Sequence, residues 1–115
     1  MRTIKKGSSC SLSVDWDKPE GQPTTLKVLG EIDLSNAEVL EEAINEGILS
    51  GEKEIRINFD DVRYLDSEGI KALLRAQRRI KDPEVKLVLF SPSASRVSRL
   101  FRQVGLTEVF DINFT

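Results

Sequence analysis

The chain has 115 residues, 39% of them hydrophobic and 31% charged, with a single cysteine and no histidine. This is one domain's worth of sequence, enough to bury roughly two-thirds of its unfolded surface, and the lone Cys10 excludes an intramolecular disulfide. The missing histidine excludes the commonest general base, the commonest metal ligand and all phosphohistidine chemistry. No apolar run is long enough to span a membrane and the amino end lacks a signal-peptide core, so a cytoplasmic protein is expected. The net charge is only −2, but residues 1–70 hold 8 Lys/Arg against 15 Asp/Glu and residues 71–102 hold 9 against 2. Such a dipole orients a partner during encounter.

Residues 1–8 are polar and basic and read as a frayed, flexible start to a single domain covering 1–115. A first strand follows over Ser9 to Trp16, with Cys10, Leu12, Val14 and Trp16 on one side. Cys10 reads as a small core residue. Pro19, Gly21 and Pro23 mark a turn, and Thr24 to Ile32 alternates again, which predicts an antiparallel hairpin. Ser35 with Glu38 has the spacing of a capping box, and Leu34 with Val39 that of a hydrophobic staple. Val39, Leu40, Ala43, Ile44 and Ile48 make the buried stripe of the helix that follows, with Gly51 just past its end.

Ile55, Ile57 and Phe59 alternate with Arg56 and Asn58 in a strand over residues 54–60, and Asp60-Asp61 reads as a turn. From Ser67 to about Lys81 the apolar spacing becomes helical, with Asp82-Pro83 as the stop. Val85 to Phe90 is a nearly continuous apolar run, as a strand covered on both faces requires. Ser91-Pro92 reads as the start of a last helix with the stripe Val97, Leu100, Phe101 and Val104. Gly105 is placed to end it, with Leu106 folding back towards Phe101, and Val109 to Ile112 is a short final strand.

The order β-β-α-β-α-β-α-β predicts an α/β domain: a mixed, mostly parallel sheet with right-handed helical crossovers. Functional loops of such sheets gather beyond the carboxyl ends of the strands. That rule brings Asp33-Leu34-Ser35 and Asp66-Ser67-Glu68-Gly69 to one end of the molecule. In the second loop a hydroxyl stands at the mouth of a helix between two carboxylates. Capping is the commonest use of Asp66 and Ser67. The alternative is an anion carried on Ser67, which the unpaired N–H groups and dipole of a helix start favour.

Lys71, Arg75, Arg78, Arg79, Lys81, Arg96, Arg99 and Arg102 raise a nucleic-acid reading, a remote one because no aromatic residues interleave with them and the chain is acidic. They read as two solvated helix faces, with Arg75, Arg79 and Arg102 bordering a partner surface. There is no glycine-rich phosphate loop and no metal-ligand spacing. No catalytic residue, metal or cofactor is expected.

Gly30-Glu31-Ile32-Asp33 at a strand end, Leu65-Asp66-Ser67-Glu68-Gly69-Ile70 before a helix, and Leu100-Phe101-Arg102-Gln103-Val104-Gly105-Leu106 near the carboxyl end together resemble the STAS domain. The likeness runs from about residue 9 to 113 in matching order. It implies the STAS fold and a bacterial anti-sigma factor antagonist, one that binds an anti-sigma factor/serine kinase when unphosphorylated and is released on phosphorylation. The phosphoacceptor position of the family falls on Ser67. The kinase supplies ATP and Mg²⁺, and a serine phosphatase resets the switch. The resemblance places partner contacts at Glu31, Asp33, Leu34, Ser35, Asp66, Ser67, Glu68, Gly69 and Ile70. The chain departs from many antagonists in carrying Glu68, where they have a small residue; a carboxylate in the first helical turn suits the dipole. The alternative is an unmodified STAS interaction module in a signalling complex or beside a transporter. Asp33, Ser35, Asp66, Ser67, Glu68 and Ile70 are expected to share one exposed patch.

Overall fold

A computed structural model describes residues 12–115, together with the backbone of strand β1 (Arg2–Lys6). The elements that follow are β2 (Leu12–Asp17), β3 (Thr24–Ile32), α1 (Ala37–Leu49), β4 (Glu54–Leu65), α2 (Ser67–Arg78), β5 (Lys86–Ser91), α3 (Arg96–Gln103), a 3₁₀ turn (Leu106–Glu108) and β6 (Asp111–Phe114). The strands stand in chain order, β1 through β6. The first three are antiparallel neighbours, and β3 through β6 are parallel.

Because the order is sequential, each right-handed crossover steps the same way across the sheet and all three helices arrive on one face. Packing agrees: Val39, Leu40 and Ile44 of α1, Leu73 of α2 and Phe101 of α3 form one core with Leu26, Val28, Ile55, Ile57 and Leu89 of the strands. Phe101 meets Phe59 of β4 edge to face, centroids 5.3 Å apart, an arrangement that adds to the area buried. The opposite face carries Thr25 and Lys27 of β3, Arg56 and Asn58 of β4, and Phe90 of β5, with the Arg56 guanidinium 5.7 Å above the Phe90 ring.

The α/β class, strand order and mix of pairings are those expected from the sequence. Six local expectations are corrected. Residues 2–6, read as part of a frayed start, pair antiparallel with β2, which makes six strands among the described residues. The beginning of the first expected strand, Ser9 to Ser11 with Cys10, lies outside the described residues.

Ser35 does not cap α1, because its hydroxyl donates to Asp33 Oδ1 at 2.6 Å and the cap position falls to Asn36. The staple is absent for the same reason: in this turn Leu34 points to solvent, 79% exposed, while Val39 is buried.

Asp60-Asp61 is no turn. From Lys27 to Leu29 and again from Gly30 to Glu31, β4 spends one more residue than β3, so the strand bulges and runs on to Leu65. Ser91 belongs to β5, and Ser95 caps α3 instead, its hydroxyl accepting from the Ser98 N–H. Buried Ser98 sits 2.6 Å from Ser91 Oγ, which gives Ser91 a partner inside the protein. Finally, Val104 leaves the buried stripe of α3 and is half exposed, because the chain turns away at Gly105, φ +72°.

Candidate functional site

Parallel pairing of β3 with β4 builds the site. Ile32 lies opposite Leu65, the last residues of the two strands. One step further the Asp66 N–H donates to the Ile32 carbonyl at 3.4 Å, so the β3–α1 and β4–α2 loops leave the sheet side by side. The two loops therefore lie together, as the topology predicts.

Ser67 is the first residue of α2 and is exposed. Asp66 is the cap: its backbone is extended and its Oδ1 accepts from the Glu68 N–H at 2.9 Å. Capping by Asp66 leaves the neighbouring hydroxyl outside that bond, so the two readings of Asp66-Ser67 divide between the residues. Glu68 turns along the helix to Lys71, 3.2 Å away, which offsets part of its charge beside Ser67. Tyr64, two residues before the cap, directs its hydroxyl to Asp66 Oδ2 at 3.5 Å.

Gly69 explains how the helix can start so close to the strands. A Cβ there would lie 2.7 Å from Leu65 Cγ and 3.2 Å from Ile32 Cγ2. Gly69 is thus a packing residue, buried beneath Ser67. Ile70 is also buried, 7% exposed, and does not join the exposed patch in which it was expected; it lies one turn before Leu73 on the buried stripe of α2.

The neighbouring loop is tied down by Asn36, which the sequence reading passed over. Its side chain accepts from the Asp33 N–H at 3.0 Å and donates to the Glu31 carbonyl at 2.9 Å. Asp33 Oδ1 takes the Ser35 N–H and hydroxyl. Leu34 is carried outward at the tip. The result is one surface made of Asp33, Leu34, Ser35, Asp66, Ser67 and Glu68, with Glu31 half-buried at its edge. Three cap-forming residues within four positions, Asp33, Ser35 and Asn36, were the available signal for Asn36, and an aromatic so near Asp66 was the signal for Tyr64.

Arg75 and Arg79 do not border this surface as a free basic rim. Both close on Glu41 of α1, at 2.7 and 2.9 Å. Arg102 lies elsewhere, 4.2 Å above the Phe114 ring and hydrogen-bonded to Ser93. Among the described residues no group of three or more His, Cys, Asp or Glu is placed to hold a metal ion, and no helix is long and apolar enough to cross a membrane.

Comparison with known proteins agrees with this fold. The STAS domain pattern matches residues 16–115. The chain is 30% identical over 107 residues to an anti-sigma-B factor antagonist of Listeria monocytogenes, covering 89% of each. It is 28% identical over 88 residues to one of Staphylococcus aureus, covering 76% of this chain and 81% of the relative. Its fold is similar to that of an anti-sigma factor antagonist from Mycobacterium paratuberculosis, with TM-score 0.80, 23% identity, and coverage of 90% of this chain and 86% of the other. It is also similar to the Bacillus cell fate determinant SpoIIAA in its phosphorylated form, with TM-score 0.63, 21% identity, and coverage of 87% and 90%.

Proposed function

Because this chain belongs to the STAS domain family, we propose that it is an anti-sigma factor antagonist working by partner switching, with Ser67 as the phosphoacceptor. The relatives it matches over most of their length are named anti-sigma-B factor antagonists. The observation that carries the residue assignment is the exposed Ser67 hydroxyl on the first turn of α2, beside a second exposed loop and next to a cap supplied by another residue. The unphosphorylated surface of Asp33, Leu34, Ser35, Asp66, Ser67 and Glu68 binds an anti-sigma factor that is also a serine kinase. Gly69 and Ile70 support this surface from beneath.

Phosphorylation adds roughly −1.5 to −2 charges and three acceptor oxygens at Ser67. The fold tolerates the group, since the dipole of a helix start favours negative charge and Lys71 offsets part of the Glu68 charge beside it. A docked partner, in contrast, must desolvate the phosphate or match it with a cation. Losing about 3 kcal/mol lowers affinity more than a hundredfold. The switch therefore blocks a surface without refolding the domain, and a serine phosphatase restores it.

The test is capture from the native host on immobilised wild-type protein, followed by phosphorylation with the purified kinase and ATP. Wild type takes one phosphate at Ser67 and is released, whereas Ser67→Ala takes none and stays bound. Labelling of Ser67→Ala, or no labelling of wild type, overturns the assignment and leaves an unmodified interaction module.

A further inference from the structure

The two loops supply few exposed residues, whereas a stable protein–protein interface uses roughly 20–30 residues a side. The footprint around Ser67 must therefore spread. On the helix side it meets charged residues already paired, Lys71 with Glu68 and Arg75 with Glu41. On the open face of the sheet it meets apolar surface instead. Leu29 and Tyr64 are 54% and 45% exposed, and Leu34, 79% exposed, lies in the loop that follows β3.

Register places these residues together. Leu29 lies opposite Asp61, and Glu31 opposite Tyr64, on the strand ends nearest Ser67. The bulges of β4 expose both Asp60 and Asp61, and a groove of about 340 Å³ runs between Leu29, Gly30, Asp60, Asp61, Val62 and Arg63. Next along β4 from the groove residue Arg63, Tyr64 directs its hydroxyl to Asp66, the cap beside Ser67. Exposed apolar side chains gathered in one place and rimmed by charge mark an interaction surface, and here carboxylates outnumber the one groove cation, Arg63.

We infer that the open face around Leu29, Asp61 and Tyr64 is the second half of the partner surface, and that it receives an apolar side chain flanked by Lys or Arg from the same anti-sigma kinase that covers Ser67. The inference rests on the Ser67 reading and extends it. Apolar contact with Leu29 and Tyr64 supplies affinity that phosphorylation does not touch, while the carboxylates select a basic partner and speed its approach.

The experiment measures affinity of the purified kinase, recovered as above, for Leu29→Ser, Tyr64→Ala, Asp61→Lys and Ser67→Asp, with Leu49→Ser as control because Leu49 is 77% exposed at the far end of α1. Each of the first three weakens binding about tenfold or more, Asp61→Lys also flattens the salt dependence, and the control binds as wild type. Thermal melts accompany every variant, and Asp61→Lys decides the matter should an apolar substitution melt early. If the three bind as wild type while Ser67→Asp binds poorly, this surface is wrong and the Ser67 reading stands. If no kinase is recovered, or Ser67→Asp also binds as wild type, both fall.

Discussion

The Glu41 carboxylate of α1 accepts from Arg75 Nε of α2 at 2.7 Å, and its second oxygen takes Arg79 at 2.9 Å. Glu41 is only 8% exposed although charged, so removing either side of the contact leaves a charge poorly solvated. Glu41→Gln is expected to destabilise the protein by about 1–2 kcal/mol, read as a denaturant midpoint shift without a change in slope. Arg75→Met costs less because Arg79 remains, and a double-mutant cycle between Glu41 and Arg75 gives a coupling of about 0.5–1 kcal/mol. Kinase binding stays at the wild-type level.

Gly69→Ala tests the close approach of α2 to the strand ends. The new methyl group meets Leu65 at 2.7 Å, so α2 must move or Leu65 must leave its rotamer. Overpacking of this kind costs about 1–3 kcal/mol, opposed by up to ~1 kcal/mol from the better helix propensity of alanine. A net loss of stability is expected in urea unfolding, together with slower phosphorylation of Ser67 because the helix start is displaced.

Ser67→Asp separates folding from binding. The aspartate falls on the first turn of α2, where negative charge is favoured, and Ser67 is exposed. Its unfolding free energy is expected within about 0.5 kcal/mol of wild type, while kinase affinity falls at least tenfold. A large drop in melting temperature would contradict the surface-blocking account.

The end of the molecule remote from Ser67 provides a pH signature. The Glu52 carboxyl is held below its ordinary value of 4.5, first by its hydrogen bond from Lys18, against the opposing effect of burial. The folded state therefore binds this proton less readily than the unfolded one. The stabilisation is complete above pH 4.5 and is lost as pH falls through the depressed value. Lys18→Met is expected to make stability less steep in that window. The difference is a fraction of a kcal/mol, since Lys18 is 60% exposed, and acid titration of the melting temperature measures it.

Much of this architecture was legible in the residues because its causes are periodic. Strand alternation in β3 and β4 and the apolar stripe of α1 each follow from burial on one side, and parallel pairing then put the two loops together. What escaped the reading depends on competition between neighbours. In Asp33-Leu34-Ser35-Asn36 three residues can cap a helix, and only the fold decides that Asp33 takes the Ser35 hydroxyl while Asn36 reaches back to Glu31. Ser91 and Ser95 compete in the same way at α3. Asp60-Asp61 looks like a turn because the bulges that carry it through β4 depend on the register of β3. Leu29 gave no clear signal, since a single exposed apolar residue is ordinary and only register sets it opposite Asp61, two residues before the partner of Tyr64.

The sequential strand order has a consequence for how the protein is made. Every strand pairs with the one synthesised just before it, so a chain leaving the ribosome amino end first adds each strand to an edge already in place. The loop bearing Ser67 follows β4, and both strands that position it precede it in the chain. The switch can therefore take shape on the nascent chain before β5, α3 and β6 have been synthesised.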